Sequence, residues 1–78
     1  MIKVKYFGFL KKYMPETDSE GWWLVENDGV SIEELFDVAK VPTEYRRATL
    51  LVNKSRKTPD YRLHDGDVLT VMPLVAGG

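Results

Sequence analysis

Ser31-Ile32-Glu33-Glu34 opens the one strongly amphipathic helix this chain can form, and a single such helix limits the folds open to it. The Ser31 hydroxyl can accept from the Glu34 backbone N–H, and the Glu34 side chain can return the bond, which makes a capping box. Ile32, Leu35, Phe36 and Ala39 then follow the i, i+3, i+4, i+7 pattern of one helical face. Pro42 ends the helix at or before Val41. One helix with one apolar face needs one apolar sheet face to bury against.

The segments on either side supply that sheet. Ile2, Val4 and Tyr6 alternate with Lys3 and Lys5, a period of two that predicts a strand ending at Gly8. Phe9 to Met14 reads either as a short helical turn or as a loop with Leu10 tucked under the sheet. Pro15 to Gly21 is polar turn chemistry, and Trp22-Trp23-Leu24-Val25 is a second strand closed by Asn27-Asp28-Gly29. Thr43 to Arg47 has room for another helical turn. Ala48 to Val52 has little polar relief and predicts a central strand. Asn53 to Asp60 is a polar, basic connection. Leu63 leads into a tight turn at His64-Asp65-Gly66-Asp67, and Val68 to Met72 is the last strand. Pro73 has no N–H, so regular pairing stops near it.

The order is strand, strand, helix, strand, strand. With the first and last strands parallel at the centre, this is an α+β, ubiquitin-like β-grasp: a mixed sheet of four to five strands on one main helix. The expectation is one domain over residues 1–78, carrying a flexible Gly-Gly tail at 74–78.

Composition closes off other classes. A chain of 78 residues has a small core, with a net stability of roughly 3–5 kcal/mol. There is no cysteine and only one histidine, His64, so neither disulfides nor a metal can staple it. Eleven Lys and Arg against twelve Asp and Glu give a net charge of −1, which points to neither nucleic acid nor membrane. With no long apolar run and an alternating N-terminus, a soluble cytoplasmic protein is expected.

The distinctive chemistry lies at the end. Leu74, Val75, Ala76, Gly77 and Gly78 reach ~16 Å when extended. Glycines at the tip can thread a narrow channel because they have no Cβ. The α-carboxylate of Gly78 is a poor electrophile and needs activation before sulfur or nitrogen can attack it. The chain offers no phosphate-cradling loop, no Cys and no Ser-His-Asp set for that task. Any reaction at Gly78 therefore belongs to another protein's active site.

These features resemble the MoaD/ThiS family of sulfur carriers. The resemblance runs through Ile2-Lys3-Val4-Lys5-Tyr6-Phe7-Gly8 with Leu10, the capped helix entrance from Ser31 to Phe36, and Leu51-Val52-Asn53. Its most specific part is Leu63, then Asp65-Gly66-Asp67, then eleven residues to Gly77-Gly78. It implies a non-enzymatic carrier, akin to the small subunit of a molybdopterin synthase. A ubiquitin-activating-like enzyme would use ATP to adenylate Gly78, and sulfur would replace AMP to give a thiocarboxylate. The acceptor would be a molybdopterin or tungstopterin precursor held by a synthase large subunit, with thiamin or tRNA thiolation, or conjugation to lysines, as alternatives. No cofactor would be bound in the carrier itself. Pro73-Leu74-Val75-Ala76-Gly77-Gly78 departs from the Pro-Pro-Val ending common in molybdopterin synthase small subunits, and Ala-Gly-Gly is closer to the thiamin type.

The resemblance also suggests partner contacts at Phe7 and Met72, beside the tail, and more weakly at Leu50. Adjacent Trp22 and Trp23 on a strand face opposite sides, so one belongs to the core and the other to a surface. Arg46, Arg47, Lys54, Arg56 and Lys57 read as a solvated face, or functionally as steering toward an acidic groove or RNA. His64 reads as an exposed turn residue.

Overall fold

The computed structural model describes residues 1–74. Five strands form one mixed sheet: β1 (Ile2–Tyr6), β2 (Trp23–Val25), β3 (Ala48–Val52), β4 (Ser55–Arg56) and β5 (Val68–Pro73). Their order is β2-β1-β5-β3-β4. β1 and β5 run parallel, with Tyr6 beside Val71, and every other pair is antiparallel. The expected first-and-last pairing therefore holds, and the fold is the β-grasp.

The helix α1 (Ile32–Ala39) forms as its sequence predicts. The Ser31 oxygen accepts from the Glu34 N–H at 3.0 Å, and Glu34 accepts from the Ser31 N–H at 2.8 Å. Hydrogen bonding from Ser31, its N–H first, holds the Glu34 carboxyl below its ordinary value. Ile32, Leu35, Phe36 and Ala39 are all buried. The helix stops before Pro42 acts, because Lys40 turns into the left-handed region at φ 59°.

The core lies between α1 and one sheet face. The period of two sends Ile2, Val4, Tyr6, Trp23, Val25, Leu50, Val52, Leu69 and Val71 toward the helix. Trp23 meets Tyr6 edge-on, with centroids 6.0 Å apart. Trp22 points to the opposite face, where the Lys5 Nζ lies 4.3 Å from its ring centroid. The Asp18 carboxylate accepts the Trp22 and Glu20 N–H bonds and ties the preceding turn to the strand. Those bonds, Trp22 first, lower its affinity for a proton.

The ambiguous segment after Gly8 resolves into both readings at once. Gly8–Tyr13 is a 3-10 helix, and Leu10 is fully buried beneath the sheet. A second 3-10 turn covers Thr43–Tyr45. β3 is an interior strand but not the middle one, since β5 holds that place and β3 is bordered by the two-residue β4. β4 itself lies inside the segment read as an irregular connection. Two residues are too short for a periodicity to show.

Among the described residues, no helix is long and apolar enough to cross a membrane, and no cluster of three or more His, Cys, Asp or Glu could hold a metal ion.

Candidate functional site

The parallel β1–β5 pair decides where the chain leaves the sheet. Both strands finish at the same end, and the Phe7 N–H donates to the Val71 carbonyl at 2.9 Å. Phe7 thus stands one step past the Tyr6–Val71 register, next to Met72. Both side chains fall on the sheet face turned away from α1, and both are exposed. Pro73 is the last paired residue, opposite Ala48, and Leu74 beyond it is 57 % exposed. The ladder stops where a residue without an N–H predicts.

Gly8 makes this exit compact. It adopts φ +60°, and Pro73 packs directly over its Cα. The 3-10 helix that follows brings Phe9 against Tyr45, ring centroids 5.0 Å apart and edge-on. Phe7, Met72 and Leu74 therefore form an apolar rim at the exit, with Phe9 and Tyr45 as an exposed aromatic pair at the same end. Exposed apolar groups gathered in one place mark a contact surface better than scattered ones do.

Of the three contact residues expected, Phe7 and Met72 are accessible and adjacent. Leu50 is not. It is 2 % exposed, and its register with Val71 turns it toward α1. Its place on the partner surface is a misassignment: β3 alternates, and only Thr49 and Leu51 reach the outer face. The position that does reach that face at the sheet edge is Arg56, paired with Leu51 through β4. The sequence placed Arg56 only within a basic stretch, solvated or steering, because β4 was not visible, and the Phe9–Tyr45 pair went unseen because the two are far apart in the chain. A weak signal existed in Phe9, an aromatic after a glycine with no place in the strand's alternation.

Val75, Ala76, Gly77 and Gly78, expected to thread a partner's active site, lie outside the described residues. His64 is exposed in its turn, near Asp28.

The sequence matches the profile of the ThiS family over residues 4–78. No curated protein sequence matches it. Among solved structures it is similar to a candidate molybdopterin converting factor, subunit 1, from Pyrococcus furiosus. That match has 23 % identity and a TM-score of 0.61, and covers 95 % of this chain and 97 % of the other. It is also similar to a chain in the complex of subunits 1 and 2 of the molybdopterin-converting factor from Helicobacter pylori 26695. There the identity is 21 %, the TM-score 0.58, and the coverage 99 % and 97 %. The structural likeness carries the fold, and the profile match over nearly the whole sequence carries the family: the chain belongs to the ThiS family, whose members are small sulfur carriers without catalytic activity of their own.

Proposed function

We propose that this chain carries sulfur on the carboxyl group of Gly78, in the synthesis of a molybdopterin or tungstopterin cofactor. The supporting observation is the exit: the central strand ends at Pro73 beside exposed Phe7 and Met72, and the family match continues to residue 78. A carboxylate oxygen of Gly78 attacks the α-phosphorus of ATP in an adenylating partner, and pyrophosphate leaves. Sulfide then forms a C–S bond at the acyl carbon and expels AMP, leaving a thiocarboxylate. The carrier binds no metal or organic cofactor in this scheme; ATP is held by the partner. The acceptor enzyme corresponds to subunit 2 of the converting factor, which accompanies subunit 1 in the Helicobacter pylori complex. Both steps belong to the cytoplasm, where ATP is supplied.

Residues 74–78 act as a tethered substrate on this reading. Leu74, Val75 and Ala76 lie along the partner's channel, and Gly77-Gly78 reach its reacting centre, where a Cβ would obstruct the approach.

Intact-mass spectrometry tests it. The chain is incubated with the adenylating enzyme of the same genome, ATP and sulfide. Replacement of one oxygen by sulfur is expected, and removal of Gly77-Gly78 should abolish it. Appearance of lysine-linked conjugates instead would identify a protein modifier, and cellular function surviving the deletion would rule out both covalent readings. Sulfur transfer to a subunit 2 homologue, followed by mass loss, tests the pathway.

A further inference from the structure

Of the five basic residues between positions 46 and 57, Lys54 lies apart beside Asn53 and Val68, and the other four divide into two groups. Arg46 is fully engaged: it binds Glu33 and Asp37, donates to the Val41 carbonyl at 2.8 Å and lies over the Phe36 ring. Arg47, Arg56 and Lys57 are not within 4.0 Å of any carboxylate among the described residues. Together with Pro59 and Leu74 they line one open groove, which Arg46, its charge already met, lines as well. Leu74 is the last described residue before the tail, so the groove lies directly beside the exit.

The far end of the sheet carries both signs: Asp65 pairs with the Met1 ammonium, and Lys54 follows Asn53, which bonds Asp67. β1 and β5 begin there, and the Gly66 N–H donates to the Met1 carbonyl, the Lys3 N–H to the Asp67 carbonyl, and the Asp65 N–H to the Asp28 carboxylate. Asp28, Asp65 and Asp67 collect at that end. β3 runs antiparallel to β5, which carries Arg47 to the exit end.

We infer that the groove of Arg47, Arg56 and Lys57 seats an acidic protein surface at the rim of the pocket that receives the tail. The inference rests on the function proposed above and adds the partner's chemistry. Residues 75–78 extend at most about 14 Å past Leu74. A pocket acting on Gly78 must bring the body of its protein within that distance, and the groove lies inside it. At such separations, comparable to the Debye length of about 8–10 Å, unpaired charges still set the rate and orientation of encounter. A nucleic acid fits less well. Strong backbone binding uses on the order of 6–10 phosphate contacts, against three cations here.

Stopped-flow association with the adenylating enzyme of the same genome tests this. Arg47→Ser, Arg56→Ser and Lys57→Ser combined should slow association about ten-fold at low salt and flatten its salt dependence. Arg56→Glu alone should slow it as well. The melting temperature reports whether each variant is folded, and the single exposed-site changes carry the same test if the triple variant is not. Unchanged rate and salt dependence in the folded variants would overturn the inference. So would loss of binding to bulk transfer RNA with the enzyme association intact. A wild-type chain that associates in this salt-dependent way yet takes up no sulfur supports the groove's role and removes the proposed function instead.

Discussion

A Cβ placed on Gly8 would stand 2.9 Å from the Cγ of Pro73, closer than real side-chain contacts allow. Gly8 also sits at φ +60°, which costs any other residue backbone strain. Gly8→Ala should therefore lower stability by about 1–3 kcal/mol, combining strain and overpacking. In a domain this small that corresponds to a fall in Tm of roughly 4–8 °C per kcal/mol. Because Pro73 must shift to make room, partner association should weaken further than the stability loss explains. A melting curve like wild type would remove this account of the exit.

Leu50 and Met72 sit one register step apart on neighbouring strands but on opposite faces. Leu50→Ala should cost about 2–5 kcal/mol, comparable with the whole stability of a chain this size, and leave it largely unfolded. Met72→Ser should keep the melting temperature near wild type and weaken association with the adenylating enzyme or synthase. Urea denaturation and a binding titration on the same two variants check both halves. A folded Leu50→Ala that had lost only binding would reverse the assignment.

The capping box makes α1 sensitive to acid. Ser31→Ala should destabilise by about 1 kcal/mol. The Glu34 carboxyl has its folded value lowered, chiefly by the Ser31 N–H. Its contribution is therefore complete above the ordinary glutamate value of about 4.3 and is lost as pH falls through the lower folded value. Glu34→Gln should flatten the acid limb of the stability curve. If wild type and Glu34→Gln lose stability in parallel below that pH, the box does not operate as described.

Tyr6 is 1 % exposed, and its hydroxyl has no hydrogen-bond partner among the described residues. Burial pushes its ionisation far above the ordinary tyrosine range, with Arg46 opposing weakly. Tyr6→Phe should keep the fold and raise stability by about 1 kcal/mol, since the ring contacts with Trp23 and Phe36 remain. The sign at high pH follows from the raised folded value. Stability is complete below the unfolded value of about 10 and falls as pH rises past it, because only the unfolded chain can ionise there. Alkaline unfolding curves should show a smaller loss for Tyr6→Phe than for wild type.

Much of this architecture could be read from local chemistry. Ser31 and Glu34 announced the helix start three residues apart, and the alternation from Ile2 to Tyr6 fixed which side chains face inward. Trp22 and Trp23 separated to opposite faces because strand geometry requires it. What failed depended on neighbours the sequence does not show. Leu50 looked like a surface candidate until pairing with Val71 set its direction, and Arg56 lay in a strand only two residues long. The groove of Arg47, Arg56 and Lys57 needed β3, β4 and the exit of β5 to be placed together. The contact rim was legible at Met72, which adjoins the tail in sequence, and at Phe7 through the family resemblance, since only the parallel β1–β5 pairing brings Phe7 to the exit.

The middle position of β5 carries a consequence for biosynthesis. β1 and β3 both bond to residues 68–73, so neither can take its final partner while that segment is still inside the ribosome. A chain halted before residue 68 has two open strand edges and no sheet to join them. Residues 68–73 must have emerged before a folded body exists, which keeps products cut short of them from presenting the surface on which a partner would dock.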